Sequence, residues 1–193
     1  MLLAIENILS GDDLVRIIAG VQCLSFSDGK ATAGPSAKSV KNNAQATGIQ
    51  SEAIITFVRN LLEVHPVFLA ATQMRTFGPM IVSRYDVGQS YGLHVDNAFM
   101  GPVRADLSFT LFVSPPDDYD GGALRLELPA GSQSIRLPAG SLILYPSTSL
   151  HCVEPVIRGQ RLAIVGWIES RILHSEAREA LFDIANVRAS LDH

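Results

Sequence analysis

The sequence predicts a mainly β fold, a β-sandwich or barrel with flanking α-helices. Between residues 66 and 170, apolar and polar side chains alternate with a period of two, as they do in half-buried strands. Turn signals rich in Gly, Pro and Asp separate these short runs, which favours a sandwich or barrel. Near both ends of the chain, apolar residues instead recur at helical spacing. No Gly-rich phosphate loop interrupts a β-α-β pattern, which argues against a nucleotide-binding α/β fold.

Three helices are expected outside the β region. Ser10 can cap the first helix together with Asp13, in a variant of the capping box. The second begins near Ser51, and Pro66 limits its end because proline cannot continue a helix interior. The third spans about 175–187, where apolar residues lie on one side.

The chain is expected to form a single domain over residues 1–193. Its 193 residues are close to the ~150 that one domain typically takes. We divide it into a helical N-terminal part (1–65), a β core (66–170) and a C-terminal helix (171–193). The clearest strand-like runs of the core lie at 108–113, 124–128, 142–145 and 161–167.

Composition excludes several classes of function. The formal net charge is −4, so nothing indicates nucleic acid as a partner. No apolar run approaches the ~18 residues of a membrane helix, and the N-terminus lacks the features of a signal peptide. The two cysteines, Cys23 and Cys152, have no zinc-finger spacing and are interpreted as free thiols in a reducing compartment. We therefore expect a cytoplasmic protein without a membrane partner.

A polar segment interrupts the N-terminal part between Gly29 and Ser51. It contains all three lysines, Lys30, Lys38 and Lys41, and small or amide residues fill the rest. Such a composition does not build a core, so we expect a long surface loop. Two interpretations stay open: a mobile solvated loop, or a lid that brings positive charge and amides to a substrate.

The residues that carry chemistry lie within the β region. His94 and Asp96 occupy positions i and i+2 of a strand-like run, so their side chains point to the same face and suit one metal ion. A surface histidine close to a surface aspartate is the alternative interpretation of this pair alone. His151 opens a later strand and supplies a second imidazole.

Arg161 follows on the next strand-like run and shares its face with Ala163, Val165 and Trp167. An arginine on an apolar strand face is costly unless an anion pairs with it. That anion is either a protein carboxylate or the carboxylate of a ligand, which a guanidinium grips through two parallel hydrogen bonds.

Two imidazoles and one carboxylate form the facial ligand set of non-haem iron(II) oxygenases. This set leaves coordination positions open. A 2-oxo acid can fill two of them and leave one for dioxygen, and an arginine nearby would complete its binding site. His94, Asp96, His151 and Arg161 are therefore the candidate site residues.

A series of motifs in order along nearly the whole chain resembles one known family. These motifs are KNNAQ (41–45), RY (84–85), HVDN (94–97), DLS (106–108), DYDGG (118–122), LYPS (144–147), SLH (149–151), RGQR (158–161) and WIES (167–170). The chain resembles the PKHD-type hydroxylases, the bacterial branch of the prolyl-4-hydroxylase-like, iron(II)- and 2-oxoglutarate-dependent dioxygenases. The sequence departs from the family in a shorter loop between Asn97 and Arg104, at Ala105 and Phe109, where Thr and Ala are typical, and in ending soon after the last helix. These departures leave the candidate ligands intact.

The resemblance implies a double-stranded β-helix, or jelly-roll, with flanking helices. It implies that His94, Asp96 and His151 hold Fe(II) and that Arg161 holds the far carboxylate of 2-oxoglutarate. L-ascorbate is implied as a supporting reductant, and 2-oxoglutarate and O₂ as co-substrates. Tyr85, on the strand before His94, either hydrogen-bonds 2-oxoglutarate or packs as a core tyrosine.

The expected function is hydroxylation of an unactivated C–H bond, with release of succinate and CO₂. The primary substrate stays open between a peptidyl proline, which the likeness to prolyl hydroxylases suggests, and a small molecule. Two other functions also stay open. One is a cupin-like metalloenzyme that uses no 2-oxo acid, against which Arg161 argues. The other is a non-catalytic sensor of iron or 2-oxoglutarate, which intact ligands do not exclude.

Overall fold

The computed structural model describes residues 1–34 and 37–191. Within these ranges the α-helices are α1 (Gly11–Gln22), α2 (Ile49–Val64), α3 (Pro66–Thr72) and α4 (Ser175–Leu191). Short 3₁₀-helices cover Gly29–Thr32, Lys38–Val40 and Pro116–Asp118. The last two residues of the predicted C-terminal part, 192–193, lie outside the described residues.

The helix boundaries follow from local chemistry. The capping box expected at Ser10 and Asp13 is confirmed: each side chain bonds the backbone N–H of the other. Pro66 does limit α2, but it also begins a further helix, α3, that the sequence analysis missed. Proline is favoured as the first residue of a helix because that residue's N–H has no intrahelical partner. His65 caps α3 by accepting a hydrogen bond from the Phe68 N–H.

Sixteen strands, most of them short, make up the β structure of the described chain. They are β1 (Leu3–Ile5), β2 (Ser27–Asp28), β3 (Lys41–Asn42), β4 (Ala44–Ala46), β5 (Met74–Tyr85), β6 (Ser90–His94), β7 (Phe99–Met100), β8 (Val103–Arg104), β9 (Leu107–Phe112), β10 (Tyr119–Gly121), β11 (Leu124–Leu128), β12 (Gly131–Ile135), β13 (Leu142–Pro146), β14 (Leu150–Val153), β15 (Val156–Gly159) and β16 (Arg161–Ser170).

Two antiparallel sheets form the core. The large sheet has seven strands in the order β1-β13-β9-β16-β5-β4-β2, and the small sheet has five in the order β12-β11-β14-β6-β3. The chain passes from one sheet to the other repeatedly: β5, β9, β13 and β16 belong to the large sheet, whereas β6, β11 and β14 belong to the small one. This alternation places the two sheets face to face and confirms the mainly β prediction.

The N-terminal part is less helical than expected. Residues 1–65 contain α1 and α2 but also four short strands, which extend both sheets at their edges. In particular, β3 pairs with β6 and β4 pairs with β5. These strands have two or three residues each, too few for a period of two to be visible in the sequence.

Two apolar clusters lie on opposite faces of the large sheet. Alternate side chains of β9 and β16 pack outward under the helices, where Phe109 and Ile164 meet residues of α2 and α3 such as Phe68. The intervening residues point inward, and Phe112 joins Tyr85 in the cluster between the two sheets. The inner face therefore carries the side chains that can line a pocket.

Neither cysteine is in a disulfide: Cys23 is exposed and Cys152 is buried. Within the described residues, no single helix is long and apolar enough to cross a membrane. Taken together, α2 and α3 meet the length and composition requirement, but they are bent by 82° at their junction.

The fit of Phe109 against Gly166 generates a prediction about stability. The two residues are paired across β9 and β16, and a Cβ at Gly166 would lie 2.6 Å from Phe109 Cζ. Because Phe109 is fully buried, its ring cannot move aside. Gly166→Ala should lower the free energy of unfolding by about 1–3 kcal/mol, measured by urea denaturation.

The control is the same substitution in a Phe109→Ala protein, which lacks the ring that the new methyl group meets. In this background Gly166→Ala should cost much less, so the double-mutant cycle should show a coupling between the two positions. Equal costs of Gly166→Ala in both backgrounds would contradict the packing described.

Candidate active site

The structure brings His94, Asp96 and His151 together at the inner face of the small sheet. His94 ends β6 and His151 lies on β14, where the two residues are directly paired across the strands. Asp96 follows β6 by two residues. Cross-strand pairing therefore places both imidazoles side by side, and the turn after β6 brings the carboxylate to them.

The three side chains form a compact donor set. Asp96 Oδ1 lies 3.9 Å from His94 Nε2 and 4.0 Å from His151 Nε2, and the candidate ligand atoms all lie within 4.8 Å of one another. The two imidazole centroids are 4.2 Å apart. All three side chains are largely buried. Within the described residues, this is the group of His, Cys, Asp or Glu side chains close enough together to hold a metal ion.

Backbone carbonyls determine which imidazole nitrogen is free. His94 Nδ1 lies 2.8 Å from the Gly92 carbonyl oxygen, and His151 Nδ1 lies 2.9 Å from that of Ser149. A carbonyl oxygen only accepts hydrogen bonds, so each Nδ1 carries the proton in the neutral ring. Each Nε2 therefore directs a lone pair at the space between the three side chains, as a metal ligand does.

Two serines support the carboxylate, one directly and one through the other, and strand alternation alone predicts neither contact. Ser108 Oγ, on β9, donates to Asp96 Oδ2 at 2.6 Å. Its single proton is then used, so Ser147 Oγ, 2.8 Å away, donates to Ser108. Oδ2 is thus occupied while Oδ1 faces the imidazoles. The DLS and LYPS motifs contain these serines and were the available signal.

Arg161 lies on the inner face of the large sheet and lines the same pocket. It is 1% exposed, and its guanidinium lies over the rings of Tyr85 (5.3 Å) and Phe112 (5.4 Å). Nε and Nη2 are buried without a hydrogen-bond partner. Among the described residues, no carboxylate forms an ion pair with Arg161. The protein-carboxylate alternative left open by the sequence therefore finds no support.

Tyr85 is paired with Arg161 across β5 and β16. It is 3% exposed, belongs to the inner apolar cluster and also lines the pocket. Burial raises its pKa to about 12, although the nearby Arg161 acts in the opposite direction. The phenol therefore stays neutral and can donate a hydrogen bond beside the guanidinium.

The pocket is a cavity of about 70 Å³ that is continuous with open solvent. Described residues of the segment Gly29–Ser51 line it, and two of them, Lys41 and Gln45, are buried. Much of this segment is thus ordered structure and not a solvated loop. Its polar residues have partners across the fold: Asn43 and Gln45 both donate to Ser83 of β5.

Aromatic rings shield the donor set. Tyr91 stacks on the His94 ring with centroids 3.6 Å apart, and Tyr145 meets the His151 ring edge-on at 5.1 Å. Burial raises the pKa of both phenols, so they remain neutral. Two imidazoles and one carboxylate in a secluded pocket suit a divalent iron ion and leave room for further ligands.

Comparison with known proteins defines the class. The model of the 2OG-Fe(II) oxygenase superfamily matches residues 80–169, which include all four candidate site residues. A PKHD-type hydroxylase of Acaryochloris marina is 45% identical over 193 residues, which cover 99% of this chain and 88% of that protein. The chain therefore belongs to the PKHD-type hydroxylases. It is an oxygenase of the hydroxylase type, and its family implies Fe(II) and 2-oxoglutarate.

Solved structures agree on the fold. A Pseudomonas putida prolyl-4-hydroxylase has a TM-score of 0.57 at 22% identity, with 89% of this chain and 93% of that chain covered. A Trichoplax adhaerens prolyl hydroxylase, in complex with a hypoxia inducible factor peptide fragment, has a TM-score of 0.65 at 20% identity, with 93% and 86% covered. These likenesses confirm the predicted jelly-roll core with flanking helices.

The environment of His94 generates a prediction about pH. Burial, followed by the neighbouring His151, lowers the pKa of His94 from 6.5 to about 4. Between these values the unfolded chain binds a proton that the folded protein does not. Stability of the metal-free protein should therefore fall as the pH drops from 6.5 to 4, by up to about 1.4 kcal/mol per pH unit.

His94→Gln should flatten this dependence, because glutamine does not titrate. Urea unfolding of chelator-treated protein across this range measures it. The matched control is His174→Gln, at an exposed position, which should keep the wild-type slope. A wild-type slope in His94→Gln would contradict the depressed pKa.

Proposed function

We propose that this enzyme hydroxylates an unactivated C–H bond of a primary substrate and converts 2-oxoglutarate to succinate and CO₂. One observation carries the proposal: Arg161 is a buried guanidinium that no carboxylate of the described residues pairs with, in the same pocket as the His–Asp–His set. A dicarboxylate that also reaches the metal satisfies this charge. A cupin-like enzyme that uses no 2-oxo acid has no need of a buried arginine at this position.

His94 Nε2, Asp96 Oδ1 and His151 Nε2 would hold Fe(II). When bound, the metal supplies the dioxygen chemistry that oxidises 2-oxoglutarate and the substrate C–H bond, with L-ascorbate as supporting reductant. The chain itself supplies geometry. The Gly92 and Ser149 carbonyls orient the imidazoles, and Ser108 holds the carboxylate so that one oxygen faces the metal position.

Arg161 would bind the far carboxylate of 2-oxoglutarate through two parallel hydrogen bonds. Tyr85, whose neutral phenol lies beside the guanidinium, would donate a further one. The rings of Tyr85 and Phe112 exclude water from this end of the pocket, which strengthens a charge-assisted pair.

A peptidyl proline is one candidate for the primary substrate. Support comes from the likeness of fold to two prolyl hydroxylases, one of them bound to a peptide fragment. Fold alone does not determine a substrate. A screen of prolyl peptides and small metabolites for stimulated succinate formation tests it, with hydroxylated product identified by mass spectrometry. Stimulation by small molecules alone would overturn the peptide assignment.

The ligand assignment predicts that wild-type protein binds about one Fe(II) per chain. Asp96→Ala should abolish tight binding, since a methyl group replaces the one anionic donor. Anaerobic titration with Fe(II) measures this. Asp12→Ala, which removes an exposed carboxylate from α1, is the matched control and should bind iron normally. Normal iron binding by Asp96→Ala would mean that the metal lies elsewhere.

The clamp assignment predicts the effect of removing Arg161. Loss of a buried charge-assisted pair costs about 2–5 kcal/mol, so Arg161→Ala should weaken 2-oxoglutarate binding by roughly 30-fold to 3,000-fold. Arg161→Lys should recover only part of the affinity, because an ammonium does not present the planar fork. Calorimetric titration of the iron-loaded protein with 2-oxoglutarate measures the dissociation constants of both variants.

Iron affinity in the absence of 2-oxoglutarate serves as the control for this variant. It should change little, since Arg161 is not among the proposed ligands. An Arg161→Ala protein that folds, binds iron and retains wild-type affinity for 2-oxoglutarate would refute the clamp.

A further inference from the structure

Lys41 is a second buried cation in the pocket, and the proposed reaction leaves it unused. Its side chain lines the pocket and the residue is 5% exposed. Among the described residues, no carboxylate lies within ion-pair distance of its amine. Lys41 and Arg161 differ in position: Lys41 lies on β3 of the small sheet, Arg161 on β16 of the large one.

A relay of hydrogen bonds holds the Lys41 amine in place. Nζ donates to Thr32 Oγ1 at 3.0 Å. The Thr32 hydroxyl donates its own proton to an acceptor, Gln45 Oε1 or the Gly29 carbonyl oxygen, so its lone pair is free for Lys41. Gln45 Nε2 in turn donates to Ser83 Oγ at 3.1 Å. The amine is therefore positioned before any ligand binds.

The ammonium retains bonding capacity towards the pocket. It has three N–H groups, of which the Thr32 hydroxyl accepts one. Its other contact is with the face of the Tyr91 ring, 4.9 Å from the centroid, and Tyr91 stacks on His94. Lys41 is thus beside the donor set, on the side of His94, with donors left over.

The charges of the loaded site indicate that Lys41 lacks a paired counterion. With Fe(II) and 2-oxoglutarate bound, the metal and Arg161 together balance Asp96 and the dicarboxylate. Lys41 then adds a positive charge that no carboxylate of the described residues pairs with directly, and a buried charge without a paired counterion is costly. Burial already lowers the pKa of Lys41 to about 8 against the attraction of Asp96 and Asp28.

We propose that Lys41 binds a carboxylate of the primary substrate, so that this enzyme acts on an acidic substrate. The proposal rests on the proposed function and deepens it. The shared chemistry is a carboxylate that reaches the Lys41 ammonium when the substrate occupies the pocket. It can belong to a free amino acid or to an acidic residue of a peptide, and the experiment distinguishes these sources.

The test compares matched carboxylate and amide probes on protein loaded anaerobically with Fe(II) and 2-oxoglutarate. The pairs are acetate and acetamide, L-proline and L-prolinamide, and the blocked peptides Gly-Pro-Asp-Gly and Gly-Pro-Asn-Gly. Binding is followed by the fluorescence of Trp167, which is the one tryptophan of the sequence and lines the pocket. Preference within the second or third pair identifies the source of the carboxylate.

Wild-type protein should bind the carboxylate of at least one pair about 10-fold to 100-fold more tightly than the amide. Lys41→Met, which keeps the length of the side chain without its charge, should lose this preference. Lys41→Arg keeps the positive charge and should therefore retain part of the carboxylate preference that Lys41→Met loses. Lys38→Met, which removes an exposed lysine of the same segment, is the matched control and should behave as wild type.

Three results would overturn the proposal. Wild type could bind carboxylate and amide equally, every probe could fail to bind, or the carboxylate preference could survive in Lys41→Met. Titration with 2-oxoglutarate alone distinguishes failure of the Lys41 proposal from failure of the proposed function. Wild type that does not bind 2-oxoglutarate refutes the proposed function. Normal 2-oxoglutarate binding without a carboxylate preference refutes only the role of Lys41.

Discussion

The buried guanidinium of Arg161 is the constraint on which the site depends. It lies between the rings of Tyr85 and Phe112, with two nitrogen atoms that bond to nothing among the described residues. A charge removed from water is stable only if an anion pairs with it. Because no carboxylate in the part of the chain that the structure describes does so, the fold has a place for an anionic ligand. The His–Asp–His donor set in the same pocket indicates which kind: an acid that can also coordinate a metal.

Two facing sheets are what allow these groups to meet. The small sheet supplies His94 and His151 through direct pairing of β6 and β14, while the large sheet supplies Arg161 through the inward face of β16. Ser108, on the large sheet, reaches across to Asp96 and so links the two halves of the site. Groups held by paired strands are positioned more rigidly than groups on loops, which suits chemistry that depends on orientation.

Much of this arrangement was predictable from local rules. Alternation along a strand puts Arg161 on an apolar face, and the ordered motifs identify the family. The expectation that Asp96 shares a strand with His94 was wrong, because β6 ends at His94 and Asp96 lies in the turn that follows. The role of Ser108 was not predictable in this way, and for Lys41 the sequence only left open a lid that brings positive charge to a substrate. The contact of Ser108 with Asp96 joins β9 to the turn after β6, and the position of Lys41 depends on the pairing of β3 with β6, so neither is visible in a local sequence pattern. The short N-terminal strands escaped notice because two or three residues show no period.

A crystal structure of the anaerobic complex with Fe(II) and 2-oxoglutarate is the measurement that tests the central claim most directly. Our account predicts one iron between His94, Asp96 and His151, with the 2-oxo acid end of the co-substrate on the metal and its far carboxylate paired with Arg161. Electron density for 2-oxoglutarate away from Arg161, with the guanidinium still unpaired or turned towards a protein carboxylate, would contradict it.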